Sequence, residues 1–138
     1  MSCLPIPPFN LEDARIKVQA DEDAWNSQNI DAIVEIYDSN CQWRNRSVFF
    51  KGRNEIKFSL TNKWKNELHY RLMKELWSVT DCRISVRFEY EWQGADCGQW
   101  YRTYGNELWQ FSNDGLLLLC DTSANDLLID PSERRIGF

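Results

Sequence analysis

The sequence predicts an α+β fold, a set of three helices followed by a curved antiparallel sheet wrapped around them. Three observations carry this. Up to Trp64 the apolar residues recur at three- and four-residue spacing, and from Tyr70 onward they fall on every second position. The third is Asn113-Asp114-Gly115, a hairpin signal set between two strand-like runs. At 138 residues the chain fits one domain, 1–138, with enough length to bury a sizeable core.

Residues 1–10 read as an extended arm, because Pro5, Pro7 and Pro8 cannot continue a helix. A helix pattern begins at Leu11, where Leu11, Ala14, Val18 and Trp25 share one face. Asp21 and Glu22 lie between Val18 and Trp25 on that face. Such an acid either points inward or belongs to a solvated acidic side with Glu12, Asp13 and Asp23. Asn29 is placed to cap a short helix carrying Ile30, Ile33, Val34 and Tyr37 on one side, which Asp38-Ser39-Asn40 would end. Residues 41–46 read as a strand, continued by 47–50. Gly52 opens a third helix, with Asn54 as cap and Ile56, Leu60 and Trp64 on its buried stripe. Lys57, Lys63 and Lys65 fall off that stripe, on a solvated side.

Residues 70–79 form the next strand and Thr80-Asp81 the turn. Over 82–92 the alternation is clean: Ile84, Val86, Phe88, Tyr90 and Trp92 face one way, and Arg83, Ser85, Arg87, Glu89 and Glu91 the other. The strand 98–111 divides similarly. Tyr101, Thr103, Gly105, Glu107, Trp109 and Phe111 make its more apolar side, so Glu107 is a lone carboxylate among rings. A carboxylate so placed is either paired and structural or set for chemistry. The last long strand covers 116–124, and 126–138, with Pro131 and the Arg134-Arg135 pair, reads as a tail.

Composition excludes several functions. A formal charge of −5 argues against a nucleic-acid partner, which needs a basic surface. The five cysteines contain no Cys-x-x-Cys pair and the only histidine is His69, so neither a metal site nor a Cys/His nucleophile is supported. With no Gly-rich phosphate loop or Ser/His/Asp set, no cofactor is expected. The odd cysteine count, and a start lacking a basic region before an apolar run, point to free thiols in a reducing, cytoplasmic setting. No stretch is long and apolar enough for a membrane partner, and Asn45-Arg46-Ser47 matches a glycosylation acceptor by chance.

The order of elements, with the run from Ala24 to Val34, Gly52-Arg53-x-Glu55-Ile56, Phe88-Glu89-Tyr90 and Trp109-x-Phe111-x-x-x-Gly115, resembles the nuclear transport factor 2-like superfamily. That superfamily has a cone-shaped fold and includes SnoaL-like cyclases, ketosteroid isomerase and limonene epoxide hydrolase. Trp43-Arg44-Asn45-Arg46, Tyr104-Gly105-Asn106-Glu107-x-Trp109 and Asn125-Asp126 resemble, more narrowly, a small SnoaL-like family of unassigned function. The resemblance implies an internal pocket and a homodimer, formed through the outer face of the sheet that carries Arg83, Arg87, Glu89, Glu91, Arg102, Tyr104 and Leu108. It also implies that Glu107 stands where the isomerases keep a protonated acid, with a carboxyl raised above its ordinary range. The isomerase tyrosine falls at Asp21, and the isomerase base at Asn45 or Trp43. Neither Asn45 nor Trp43 takes up a proton at neutral pH, so steroid isomerisation by that route is not expected. Dehydratase chemistry based on a histidine pair is excluded by the single His69. Asp21, Arg44 or Arg46, and Glu107 imitate an Asp-Arg-Asp water site.

The candidate catalytic residues are therefore Glu107 and Asp21, and the candidate ligand-binding residues are Trp25, Trp43, Asn45, Trp64, Tyr90, Trp92, Tyr101, Trp109 and Cys120. Trp25, Trp64, Tyr90, Trp92 and Trp109 are of the kind that ordinarily fills a core, and Cys120, with no basic partner, is a small hydrophobe rather than a nucleophile. Gly105 beside Glu107 would leave room for a ligand. Trp43 and Asn45 are expected to face the cavity and both arginines, Arg44 and Arg46, to point out, where they would pair with Glu89 or Glu91 across the sheet; a bulge would reverse the parity and bring two guanidiniums inside, suited to a carboxylate or phosphate. Three functions fit: a cofactor-independent acid–base enzyme (isomerase, lyase or hydrolase type) acting on a small, partly apolar ligand; a non-catalytic binder with the same pocket; or a dimeric association module.

Overall fold

A computed structural model describes residues 4–136. Helix α1, Leu11–Ser27, starts where Asn10 closes a capping box: its side chain accepts from Asp13 N at 2.8 Å, and the Asp13 carboxylate accepts from Asn10 N at 3.2 Å. Ala14, Val18, Asp21 and Trp25 form the buried stripe, whereas Leu11 stays in solvent. Helix α2, Ile30–Val34, is capped by Asn29 as its sequence predicts. Strand β1, Tyr37–Asn45, follows at once. Asp38-Ser39-Asn40 therefore does not close a helix; it interrupts the β1 ladder, and Asp38 accepts from Asn40 N at 2.8 Å. Residues that compete with the ladder for hydrogen bonds make a bulge in a strand as readily as they break a helix.

Strand β2, Val48–Lys51, turns back on β1 through Arg46, whose φ is 59°. Helix α3, Gly52–Asn66, begins two residues before Asn54; Lys51 holds the cap position and gives its N–H to Glu55 at 2.8 Å. Ile56 and Leu60 are wholly buried, Trp64 half-buried, and Lys63 turns inward rather than to solvent. Then come β3, Glu67–Thr80, β4, Arg83–Gly94, β5, Trp100–Phe111, and β6, Leu117–Ile129.

The six strands form one curved, unclosed sheet in the order β2-β1-β6-β5-β4-β3. The α+β class stands, but the sheet is mixed, because β1 and β6 run parallel while every other pair is antiparallel. Helix α3 carries the chain from the β2 edge to the β3 edge, so the meander starts at the far side and its last strand arrives beside β1. Period-two alternation specifies faces, not the direction of neighbours.

Strand β3 is an edge, and α1 covers it with polar clamps. Asn26 accepts from Leu72 N at 2.7 Å and donates to Leu72 O at 2.9 Å, while Glu22 accepts from Lys74 N at 2.7 Å. Edge groups left unpaired would invite other strands. These bonds fix the rotation of α1, so Glu22 meets the strand and Asp21 points inside.

The last strand runs past Asp126 to Ile129, and the tail is correspondingly short: a 3-10 turn, Pro131–Glu133, and an extended end. That end crosses the outer face of the sheet. Glu91 accepts from Arg135 N at 3.1 Å, Ile136 N at 2.9 Å and Arg102 Nε at 2.8 Å, and Glu89 pairs with Arg135. Glu89, Glu91 and Arg102 are thus buried by the chain itself. Cys41, Cys82, Cys97 and Cys120 are free thiols, and Cys3 lies outside the described residues. No helix among the described residues is long and apolar enough to cross a membrane.

Phe88 lies opposite Gly105 on the inner face, and a Cβ at Gly105 would stand 2.1 Å from its ring. The space beside Glu107 is thus filled by Phe88 rather than left for a ligand. Phe88 is buried and has little freedom to retreat. Gly105→Ala should destabilise the fold by about 1–3 kcal/mol through overpacking. Urea unfolding checks this; an unchanged midpoint would contradict the packing.

Candidate functional site

On β3 the inward positions are Tyr70, Leu72, Lys74 and Leu76, so the same alternation that buries leucines drives a lysine into the interior. Lys74 was absent from the sequence-derived candidates, although its place between Leu72 and Leu76 is the signal that could have found it. Its ammonium lies 2.6 Å from Asp21 Oδ2 and 2.8 Å from Glu107 Oε1, with the lysine side chain only 4% exposed. The rings of Trp109, Trp25 and Phe88 surround it at 5.1, 5.5 and 5.8 Å. Glu107 Oε1 also accepts from Trp109 Nε1 at 3.1 Å, and Oε2 from Thr122 Oγ1 at 2.8 Å. Thr122 in turn accepts from Trp43 Nε1 at 3.0 Å.

Two carboxylates sharing one ammonium are driven apart in acidity. Burial pushes the Asp21 carboxyl above its ordinary range; Lys74 opposes this, and the charge of Glu107 adds to the rise. For Glu107 burial acts upward too, but the Lys74 charge and the bonds from Lys74, Thr122 and Trp109 outweigh it and hold the group below its ordinary value. This overturns the expectation of a raised Glu107: the neighbour that reverses the sign is a lysine from β3. Burial works against the Lys74 ammonium, yet Asp21 and then Glu107 outweigh it and hold it charged.

Lys74 and Glu107 form the inner end of a cavity of about 380 Å³. Trp25, Trp43, Tyr70, Phe88, Tyr90 and Trp92 make its walls. Towards its other end lie two ion pairs, Arg46–Asp126 at 2.6 Å and Lys63–Glu67 at 2.9 Å, with the Lys63 ammonium 4.2 Å from the Tyr90 ring centre.

Of the sequence-derived candidates, Glu107, Trp25, Trp43, Asn45, Tyr90 and Trp92 line this cavity. Asp21 stands behind Lys74 and faces a second cavity of about 530 Å³, with Trp109 beside it. Trp64 packs against Trp25 and Tyr70, with ring centres 5.8 and 5.6 Å away. Tyr101 stacks on Trp92 at 4.6 Å. Cys120 is buried 3.5 Å from Thr122 Oγ1, and burial pushes its thiol well up. Trp43 and Asn45 face inward and Arg44 pairs outside with Asp121, whereas the left-handed turn at Arg46 swings that side chain back towards the cavity. Neither arginine meets Glu89 or Glu91, because β1 neighbours β6 rather than β4. Asp21 and Glu107 do come together, but around a lysine and not the arginine of an Asp-Arg-Asp set. Among the described residues no three His, Cys, Asp or Glu side chains cluster as a metal site.

A family model described as "Protein of unknown function (DUF1348)" matches residues 7–137. The chain belongs to this family. No curated protein matches the chain. Among solved structures it is similar to the epoxide hydrolase/cyclase-like enzyme SalBIII of pyran ring formation in the polyether salinomycin, at TM-score 0.73 and 13% identity, over 83% of this chain and 92% of that one. It is also similar to a putative isomerase from Bacillus subtilis, at TM-score 0.72 and 14% identity, over 85% and 90% of the two chains. A protein of unknown function from an Exiguobacterium species, described as NTF2-like, matches at TM-score 0.69 and 14% identity, over 78% and 96%. At such identities the likeness is one of fold, and it agrees with the nuclear transport factor 2-like and SnoaL-like resemblance of the sequence. This DUF1348 chain sets Lys74 between Glu107 and Asp21, the latter at the position where the isomerase resemblance puts a tyrosine.

Removing that lysine should be costly. Lys74→Met leaves two buried carboxylates without their cation, and should destabilise the protein by about 3–5 kcal/mol near neutral pH. The sign of the pH dependence follows. Without Lys74 both folded-state carboxyls rise above their unfolded values, so the variant is most stable in acid and loses stability as pH rises through them. Urea unfolding across pH tests this; a variant as stable as the parent at neutral pH would contradict it.

Proposed function

We propose that the cavity is the active site of a cofactor-independent acid–base enzyme, of isomerase, lyase or hydrolase type, acting on a small, partly apolar ligand in a cytoplasmic setting. The observation that carries this reading is a buried ammonium held between two carboxylates at the inner end of an aromatic cavity. An ammonium has three donors, and the two carboxylates engage two of them. The third is available to a carbonyl-type oxygen of the ligand, where it would stabilise negative charge as it develops. Glu107, kept ionised and on the same wall, takes the proton from the carbon next to that carbonyl. The enolate so formed rests its charge on Lys74 and takes the proton back at the same or a neighbouring carbon. Asp21, the more basic acid, faces away from the ligand and sets the charge balance behind Lys74. The similar solved structures include a putative isomerase and a cyclase-like enzyme, which agrees with this class of chemistry.

A simple ketone tests it without knowledge of the natural substrate. Incubated in heavy water with the bicyclic ketone indanone, the protein should speed deuterium uptake next to the carbonyl, read by mass spectrometry. Glu107→Gln should slow this by roughly a hundredfold or more. Binding of indanone without exchange would instead leave the non-catalytic binder.

The same reading includes a homodimer through the part of the outer sheet face that the tail leaves open. Leu108 and Leu119 are exposed there at 57% and 42%. Sedimentation at concentrations of about tens of micromolar should show a dimer, and Leu108→Arg should give a monomer. A monomeric parent protein would sink this part of the reading.

A further inference from the structure

The charges lining the cavity are all internally matched. Lys74 is held by Asp21 and Glu107, Arg46 by Asp126 and Lys63 by Glu67. A charged ligand would lose its hydration and find no free counter-charge, so the cavity suits an uncharged one. Besides the buried indole N–H of Trp25, which has no hydrogen-bond partner among the described residues, two uncommitted carboxamides face the cavity. Asn45, half-buried on the wall, makes no side-chain hydrogen bond among the described residues, and neither does the carboxamide of Asn62, which faces the cavity from α3. A carboxamide can both donate and accept, and so recognises a hydroxyl or a carbonyl equally.

The sheet places Asn45 at a defined separation from the charged end. Glu107 pairs in register with Thr122, and Thr122 with Asn45, so the three stand in one row across β5, β6 and β1. Two strand spacings separate the outer members by about 10 Å at the backbone. Once both side chains are counted, the gap accommodates one ring or a fused pair, against the wall formed by the edge-packed rings of Trp25 and Trp43.

We propose that Asn45 and Asn62 form a second polar subsite, and that the ligand is a neutral ring compound carrying oxygen functions at two opposite ends. One oxygen sits on Lys74 and the other on the carboxamides, which fixes the direction in which the ring enters. This rests on the reading of Lys74 as the group that binds the ligand's reacting oxygen.

Three probes separate the two claims, each followed by quenching of the cavity tryptophans: indanone, its derivative with a hydroxyl on the ring carbon farthest from the carbonyl, and the matching carboxylate. Measurements are made below about pH 7, where a phenol-type hydroxyl is neutral. The hydroxy derivative should bind about tenfold more tightly than indanone, one well-made hydrogen bond's worth, and the carboxylate more weakly than either. In Asn45→Ala, and separately in Asn62→Ala, the ratio of the two neutral affinities should fall towards one. A hydroxyl that adds nothing in the parent protein, a ratio that survives both substitutions, or tighter binding of the carboxylate would overturn the subsite. If indanone itself fails to bind, or binds Lys74→Gln equally well, the reading of Lys74 fails instead, and the subsite falls with it.

Discussion

The structure depends on one ammonium. Lys74 is the point at which helix α1 from one side and strand β5 from the other are joined by charge, inside a shell of tryptophan and phenylalanine. In so poorly hydrated a place neither acid could stay ionised alone. The lysine makes a buried pair of acids tolerable, and it also makes them unequal. Glu107 collects the hydrogen bonds of Thr122 and Trp109 in addition to the cation, and Asp21 does not, so the sharing favours Glu107. A symmetrical composition of two carboxylates thus becomes an asymmetric pair, one fixed as an anion and one able to change its charge.

Everything around that ammonium serves to place it. Asn26 and Glu22 tie α1 to the exposed edge of β3, which sets the rotation that turns Asp21 inward. Gly105 lets the Phe88 ring lie against β5, and the C-terminal segment seals the opposite face of the sheet over Glu89 and Glu91. The wall that separates the two cavities therefore consists of charges as well as rings: Asp21 looks to one side, Lys74 and Glu107 to the other. A change of charge on Asp21 would be felt in the other cavity through Lys74, without any movement of the backbone.

The helices, the clean alternation of β4 and the burial of Glu107 were legible because each rests on local periodicity. The inward parity of Trp43 and Asn45 was not fixed by the strand's own pattern and came only from the isomerase comparison; Arg46, expected outside, lines the cavity as well. Three features were not legible. The parallel pairing of β1 with β6 depends on where α3 delivers the chain, which no period reports. Asp38-Ser39-Asn40 carries the chemistry of a break and was used as a bulge, a choice made by the neighbouring strand. The ionisation of Glu107 was misjudged because a lysine on an amphipathic strand is ordinarily assigned to solvent. Only the third dimension shows that its long stem reaches two acids at once. Lys63 repeats the lesson on α3, off the apolar stripe yet folded over Tyr90.

The central claim is that Lys74 splits the acidity of the two buried carboxyls, and it can be read directly. Carbon-detected NMR of labelled side-chain carboxyls, followed through a pH titration with Asp21→Asn and Glu107→Gln for assignment, reports each group separately. The account predicts that Asp21 titrates above the ordinary aspartate range of about 3.9 and that Glu107 titrates below the glutamate value of about 4.3. Correspondingly, Asp21 withdraws stability as pH rises through its elevated value, and Glu107 loses its contribution only as pH falls through its depressed one. Two carboxyls titrating together at ordinary values, or a Glu107 that takes its proton before Asp21 does as pH falls, would contradict it.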